Sequence, residues 1–316
     1  MANAVFCMIG AMVGAGFASG REIMQFFTQY GSFSWALIAF SSGLMAALVY
    51  WSNEHALHRE ESVLIRGFRA LLYSAVGGGM AAAAGELAAL TLPMHHARTV
   101  GMLITLMACA GMSGGSLRGM AWLGTVLIPV MICAFLLCLR VPGTNTPDPQ
   151  PSFPSLIHAA GYCGLNAMLA GAVTVQAEGQ KKRQKRLCVA IAAGLTFGGF
   201  LSLGNAALLP HTASLKDAAL PVVMLLRGYG KTGFYLSAAT LYLAVSTTLI
   251  ASLRGLAAQL PGEHQHIWAA LIAAGCAMIG FQEIVAKAYP VLGYLSLLIL
   301  LMQKNPPHKG GMRLFV

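Results

Sequence analysis

The chain has 316 residues, of which 57% are hydrophobic and only 9% are charged, whereas soluble domains carry about 25% charged residues. A soluble fold cannot cover its surface with so few charges, so lipid is expected to be the solvent for most of the chain. The formal net charge of +10 is not gathered into a basic soluble face with interleaved aromatic residues, which excludes nucleic acid as an expected partner. The composition predicts an integral membrane protein.

The cysteines and the start of the chain give two further expectations. All seven cysteines lie within apolar stretches, without the spacing of metal ligands or of a disulfide framework. They are expected to be small buried hydrophobes, with no metal or cofactor bound. No basic segment precedes the first apolar run and no small-residue cleavage pattern follows it, so a removable signal peptide is not expected.

Ten apolar runs are candidates for crossing a bilayer, for which a helix needs about 20 residues. The predicted spans are 3–30, 34–51, 69–92, 99–113, 119–140, 155–178, 187–209, 232–258, 266–284 and 286–303. The proline-rich segment "VPGTNTPDPQPSFP" at 141–154 separates five spans within 1–140 from five within 155–303, and a tail at 304–316 follows. Because five is an odd number, two related halves would insert with opposite orientation. Counting therefore predicts an all-α fold of two inverted repeats.

The basic residues predict the orientation of these spans. With the amino terminus in the cytoplasm, 13 of the 20 Lys and Arg residues lie on the cytoplasmic side, in agreement with the positive-inside rule. These residues are Arg59, Arg66, Arg69, Arg118, Lys181, Lys182, Arg183, Lys185, Arg186, Arg254, Lys304, Lys309 and Arg313. An even number of spans then leaves both termini in the cytoplasm, and the cytoplasmic membrane is the expected location.

The first span contains the stretch "MVGAGFASGREIMQFF" at 12–27. Its glycines lower the cost of leaving helical geometry, and Ser19 with Glu22 forms the S-x-x-E pattern that marks a helix start. A helix start inside a span predicts two half-helices that meet in mid-membrane, where free backbone groups survive only beside a polar cavity or a ligand. The alternative is a continuous helix with a packing face of small residues.

The predicted break is a candidate solute site, because half-helix N-termini carry partial positive charge that suits an anion such as a carboxylate. The candidate solute-binding residues there are Gly14, Ala15, Gly16, Phe17, Ala18 and Ser19. Arg21 and Glu22 follow as candidate gate residues. Arg21 could close the outer side of the site by pairing with an acid, or it could pair locally with Glu22.

The sixth span begins the second half as "HAAGYCGLNAMLAGAVTVQAEG". Gly161, Gly164 and Asn166 interrupt its middle, at the position where the symmetry argument expects a second break. Gly164 and Asn166 are therefore candidate solute-binding residues. The alternative is that Asn166 joins neighbouring helices by a hydrogen bond.

The eighth span contains "LAVSTTLIASLRG", in which Ala244, Thr247 and Thr248 share one helix face. Threonine hydroxyls and backbone carbonyls are hard oxygen donors that suit a small cation such as Na⁺. The alternative is back-bonding of each hydroxyl to a carbonyl of the preceding turn, which is common in membrane helices.

The stretch "VGAGFASGREIMQFFTQYG" at 13–31 closely resembles the opening motif of the YkvI family, bacterial membrane proteins placed near the amino acid–polyamine–organocation transporter superfamily. The likeness is strongest at residues 10–31 and elsewhere consists mostly of hydropathy and spacing. It implies a LeuT-like transporter fold, with two inverted five-helix repeats, helices 1 and 6 broken at mid-membrane, and the solute bound between the breaks.

The same resemblance implies an ion site. In sodium-coupled members of that fold, two carbonyls of the first helix face an Ala-x-x-Thr-Ser motif on the eighth helix. By resemblance, Gly10 and Val13 would supply the carbonyls, and Ala244, Thr247 and Thr248 the other side, with threonine at 248 in place of serine. Other members use protons or exchange, so Na⁺ and H⁺ both stay open as the coupling ion.

Charged residues inside or near the spans complete the candidates. Glu86 of the third span could carry a proton or bind a substrate amine, or it could be an interfacial carboxyl paired with Arg98. Glu283 and Lys287 are spaced for an ion pair. The segment "SLKDAALPVVMLLRGYG" at 214–230 is expected to form an amphipathic outer-loop helix, a candidate lid.

These features together predict a secondary transporter that moves a small polar solute, such as an amino acid or related zwitterion, by alternating access coupled to Na⁺ or H⁺. An enzyme is not expected, because acids within the spans stand singly instead of in a catalytic cluster. A ligand-sensing receptor built on a transporter fold is the alternative. The sequence predicts neither the solute nor the oligomeric state.

Overall fold

A computed structural model describes residues 14–55, 63–115, 117–143, 153–174 and 183–302. Every regular element within these ranges is a helix, so the predicted all-helical class is confirmed. Most of the predicted linker at 141–154 and all of the tail at 304–316 lie outside the described residues.

The first apolar segment is interrupted at Gly20. Helix α1, Ala15–Ser19, and helix α2, Arg21–Phe26, meet at this residue, whose φ of 79° lies in the left-handed region. Glycine adopts that conformation without steric cost because it has no Cβ. A 3-10 helix, Thr28–Phe33, leads on to the next long helix. The interruption falls one residue beyond the predicted stretch that ends at Ser19.

Further helices make up most of the rest of the described chain. They are α3 Ser34–His55, α4 Val63–Thr91, α5 Ala97–Ser113, α6 Leu117–Cys138, α7 Phe153–Thr174, α8 Arg183–Leu208, the short α9 Pro221–Leu226, α10 Gly230–Ala257, α11 Gln265–Ala277 and α12 Phe281–Met302. Helix α12 contains a π-helical turn at Ile284–Ala288.

The helices have the length and composition of membrane spans. Within the described ranges, four helical segments are long and apolar enough to cross a bilayer, namely Thr28–Ser52, Arg186–Leu215, Pro221–Ala257 and Phe281–Met302. Shorter apolar helices cover Ala97–Ser113, Val126–Cys138 and Gln265–Ala277. Large apolar side chains stand on the outer faces, such as Met107 at 68% exposure and Leu271 at 57%. These features agree with a multi-pass membrane protein.

Small residues let the helices pack closely. Helix α3 lies along α7 and α8, α4 contacts α5, α10 and α11, and α7 lies along α12. At the α3–α8 contact, a Cβ added to Gly198 would lie 2.7 Å from Ser42 Oγ. At the α7–α12 contact, Gly161 and Gly293 bring their backbones together, which is a common way for membrane helices to associate.

The predicted break in the sixth span is wrong. Helix α7 runs without interruption over Phe153–Thr174, through its glycines and asparagine. Gly164 serves close packing instead, because an added Cβ would lie 2.8 Å from the Gly293 carbonyl oxygen. Asn166 Nδ2 donates to the Tyr162 carbonyl oxygen of the preceding turn at 3.0 Å. Small and polar residues are thus accommodated within a regular helix.

Candidate functional site

Helix α1 lies deep in the bundle, against α9 and α10. Phe17, Ala18 and Ser19 are all buried. At the start of α1, Gly14 touches α10, since an added Cβ would lie 2.9 Å from Thr248 Oγ1. The structure therefore brings the predicted solute-binding stretch against one of the predicted ion-binding threonines.

Three oxygens cluster on the face of α10 that carries this threonine. Thr247 Oγ1 and Thr248 Oγ1 each donate to the Ala244 carbonyl oxygen at 2.9 Å. This is the back-bonding geometry. It also brings close together three oxygen atoms of the hard type that coordinates small cations, namely the two hydroxyl oxygens and the carbonyl oxygen. Gly10 and Val13, the other members of the predicted ion site, lie outside the described residues.

Ser19 links the two short helices on either side of Gly20. Its Oγ donates to the Gly16 carbonyl oxygen at 2.8 Å and accepts from the Arg21 backbone N–H at 3.1 Å. Helix α2 begins at Arg21, but Gly20 occupies its N-cap position. The predicted capping box is wrong, because the Glu22 carboxyl turns to α7 instead of to the backbone of Ser19.

The carboxyl of Glu22 points into the bundle, and the residue is only 7% exposed. Glu22 Oε2 accepts a hydrogen bond from the Tyr162 hydroxyl of α7 at 2.6 Å. Glu22 Oε1 lies against Gly16, where an added Cβ would overlap it. The carboxyl therefore occupies the space that the absent side chain of Gly16 leaves.

Tyr162 stands at the centre of a cluster of five buried aromatic rings. Its ring centroid lies 4.6 Å from that of Phe26, 5.6 Å from Phe27, 5.8 Å from Phe197 and 6.2 Å from Phe17. Each side chain is fully buried, and such ring pairs stabilise beyond the area that they bury. The cluster joins α1 and α2 to α7 and α8, and it directs the Tyr162 hydroxyl at the carboxyl of α2.

Arg21 turns away from its neighbour Glu22. Arg21 Nη1 donates to the carbonyl oxygens of Lys216 at 2.6 Å and Ala218 at 3.3 Å, both in the segment before α9. The structure thus separates the two predicted gate residues. Arg21 ties α2 to the segment between α8 and α9, whereas Glu22 enters the core.

The segment predicted as an outer-loop helix folds against the interruption. It forms α9 and the turns around it, and most side chains of α9 are buried. A Cβ added to Gly20 would lie 2.9 Å from Leu208 Cδ1 and 3.0 Å from Val222 Cγ2. The end of α8 and the start of α9 therefore cover the kink between α1 and α2.

Glu86 lies away from this region, at the contact between α4 and α5. It pairs with Arg98 of α5 at 2.9 Å, with side-chain exposures of 19% for Glu86 and 67% for Arg98. This is the pairing with Arg98 that the second alternative describes. The spacing of Glu283 and Lys287 likewise gives an ion pair, at 2.6 Å.

Sequence reasoning missed two tyrosines that the fold brings to the region of Glu22. Tyr162 lies between the two glycines that drew attention to the sixth span, and a polar aromatic residue in an apolar span needs a hydrogen-bond partner. Tyr289 of α12 is buried near Gly79, and its hydroxyl has no hydrogen-bond partner within the described ranges. Of the two tyrosines, only Tyr162 could have been identified from the residues around it in the sequence.

The chain is similar to two proteins of Bacillus subtilis (strain 168), while no family model matches it. The uncharacterized membrane protein YkvI is 25% identical over 339 aligned residues, which cover 97% of this chain and 96% of YkvI. The uncharacterized protein YyaD is 25% identical over 325 aligned residues, which cover 93% of each chain. These matches indicate distant homology over nearly the full length, and the first of them agrees with a membrane protein.

Proposed function

We propose that this chain is a secondary transporter of the cytoplasmic membrane, with ten spans and both termini in the cytoplasm. Its solute is a small polar molecule, such as an amino acid or a related zwitterion, moved by alternating access coupled to Na⁺ or H⁺. The observation that carries the proposal is the buried interruption of the first apolar segment at Gly20. Helix ends inside a membrane persist where they line a cavity or meet a ligand, and broken helices near the midplane are typical of secondary transporters.

The packing of the helices supports a fold of two inverted repeats. In the proposed correspondence, α1 and α2 match α7, and α3 to α6 match α8 and α10 to α12. Corresponding helices lie side by side, α3 with α8 and α4 with α10. Other contacts recur when each helix is replaced by its counterpart in the other half. The contact α4–α5 corresponds to α10–α11, α5–α10 corresponds to α11–α4, and α3–α7 corresponds to α8–α2. A pseudo-two-fold axis generates such reciprocity. With α7 continuous, the proposed fold is LeuT-like with one interrupted helix.

The contact between α1 and α10 supports coupling of an ion to movement of α1. The oxygens of Ala244, Thr247 and Thr248 are of the hard type that small cations prefer, and Gly14 of the first segment touches Thr248. A cation bound there would interact with both elements. Its binding would therefore favour the arrangement in which α1 and α10 are in contact.

Uptake by the purified protein in proteoliposomes tests the proposal. Labelled amino acids are supplied under an inward Na⁺ gradient, an inward H⁺ gradient and no gradient. We expect at least one solute to accumulate only when a gradient is imposed. Solute binding without flux would instead favour the ligand-sensing receptor, and the absence of flux across a broad panel would contradict transport.

A double variant tests the ion site separately. Thr247→Ala with Thr248→Ala removes both hydroxyls of the cluster, so stimulation by Na⁺ should be lost while uptake without Na⁺ persists. Thr240→Ala is the matched control, because this threonine also lies on α10 and donates to a carbonyl of its own helix, that of Leu236 at 2.8 Å. An intact Na⁺ response in the double variant would contradict the ion site and leave transport standing.

A further inference from the structure

Glu22 is a buried acid without a cationic partner among the described residues. The elements that pack against α2 are α1, α7, α8, the 3-10 helix Thr28–Phe33 and the π-helical turn of α12. Of the titratable groups on these elements, Tyr162 of α7 donates to the carboxyl. Lys287 of the π-helical turn is exposed and pairs with Glu283 at 2.6 Å.

The other polar groups near α2 are engaged elsewhere. The Arg21 guanidinium donates to carbonyl oxygens of the segment before α9. On the 3-10 helix, the Tyr30 hydroxyl lies 2.9 Å from His158 Nδ1. In the part of the chain that the structure describes, Glu22 thus has one hydrogen-bond donor and no positive charge at its carboxyl.

The surroundings of Glu22 fit a proton better than a metal cation. Glu22 Oε2 is taken by the Tyr162 hydroxyl, and Oε1 is pressed against Gly16. A metal cation such as Na⁺ would need several oxygen ligands around it, whereas a proton needs only one carboxylate oxygen. A carboxylate buried without a charge partner is strongly disfavoured and neutralises instead.

We propose that Glu22 is the proton-binding carboxyl of the transport cycle, an inference that rests on the proposed transport function. In the arrangement described here, where the carboxyl is buried, Oε1 carries a proton taken from water on one side of the membrane. When α2 moves relative to α1 at Gly20, the carboxyl leaves the aromatic cluster, meets water on the other side and releases the same proton. Tyr162 is a positioning residue, since its hydroxyl holds Oε2 in place and its ring is fixed by the surrounding phenylalanines.

Infrared difference spectroscopy tests the proton directly, with H⁺ and D⁺ as the probes and no solute needed. The purified protein, compared across a pH series, should show the carbonyl stretch of a protonated carboxyl, sensitive to deuteration. The band should be absent in Glu22→Gln, shifted in Tyr162→Phe, and unchanged in Glu283→Gln, which alters an exposed acid. A wild-type spectrum without a band that Glu22→Gln removes would overturn the proposal. If the glutamine variant fails to fold, Glu22→Asp, which keeps a carboxyl in another position, should shift the band, and an unshifted band would overturn the proposal.

Uptake measurements separate this inference from the proposed function. With labelled amino acids supplied outside the proteoliposomes, Glu22→Gln should lose accumulation driven by an H⁺ gradient. In proteoliposomes loaded with unlabelled amino acids at equal pH on both sides, it should keep exchange of internal for external solute. Uptake that is driven by H⁺ and insensitive to Glu22→Gln would overturn the proton role while transport stands. A Glu22 band in the spectrum with no flux under any gradient would instead overturn the transport function, and with it a role for Glu22 in coupling.

Discussion

Gly14 of the first segment and Thr248 of α10 meet so closely that a methyl group on the glycine would lie 2.9 Å from the threonine hydroxyl oxygen and 3.2 Å from its methyl carbon. This contact joins a residue of the predicted solute site to a residue of the predicted ion site. It requires glycine because no space remains for a Cβ, although the backbone of Gly14 itself has an ordinary negative φ of −84°.

Gly14→Ala should destabilise the protein by about 1–3 kcal/mol, the usual cost of an overpacked contact, and should weaken stimulation of uptake by Na⁺. Thermal unfolding in detergent and Na⁺-dependent uptake measure the two effects. Thr248→Ala combined with Gly14→Ala should recover part of the stability, because the clashing atoms are gone. Gly43→Ala is the control, since its added Cβ meets nothing within 4 Å. Equal losses in Gly14→Ala and Gly43→Ala would contradict the contact.

Gly20→Ala should be destabilising for a different reason. A residue with a Cβ costs about 1–2 kcal/mol in the left-handed conformation, and here the Cβ would also crowd Leu208 and Val222. We expect a lower unfolding temperature than for Gly275→Ala, a helical position whose added Cβ meets nothing within 4 Å. A continuous helix through the first span would instead remove this difference between Gly20→Ala and Gly275→Ala at the backbone, because alanine favours helix over glycine at both positions.

Tyr162→Phe removes one hydroxyl and keeps the ring of the aromatic cluster. Loss of the donor to the buried Glu22 carboxyl should cost about 1–3 kcal/mol of unfolding free energy. Glu22→Met in the Tyr162→Phe background should cost less than Glu22→Met alone, since both polar partners are then replaced by apolar groups. The double-mutant cycle measures this coupling, with the exposed Tyr235→Phe as the control. Strictly additive effects would mean that the 2.6 Å hydrogen bond contributes nothing to stability.

Gly164→Ala distinguishes helix packing from solute binding in α7. The added Cβ would lie 2.8 Å from the Gly293 carbonyl oxygen and 2.8 Å from Leu297 Cβ, so α7 and α12 would have to separate, at a cost of about 1–3 kcal/mol. We expect lower thermal stability with unchanged apparent affinity for the solute. Gly199→Ala, which has open space in α8, is the control. Unchanged stability with reduced affinity would instead support the solute-binding role that the sequence predicts for Gly164.

The kink of the first segment was accessible from sequence because its causes are local. Left-handed backbone at Gly20 and a serine beside a new helix depend on residues a few positions apart. Even there, the S-x-x-E pattern assigned Glu22 to the wrong partner. The partner that it has, Tyr162, lies 140 residues away along the chain, and no spacing rule connects residues at that separation.

The error in the sixth span has a related cause. Glycine both permits a helix to break and lets a second helix come close, and the two uses look identical in one segment. For Gly164 the deciding residue is Gly293, on the last described helix. Symmetry with the first span predicts a break here, and it contains no information about the close approach of Gly293.

The carboxyl of Glu22 fills the space beside Gly16, so these two positions are sterically interdependent. A methyl group at 16 and a glutamate at 22 cannot coexist in this arrangement. Natural variants of this protein should therefore change the two positions together, with an acid at the second site only where the first has no side chain. If positions 16 and 22 vary independently among such variants, the carboxyl at position 22 must take another direction in them.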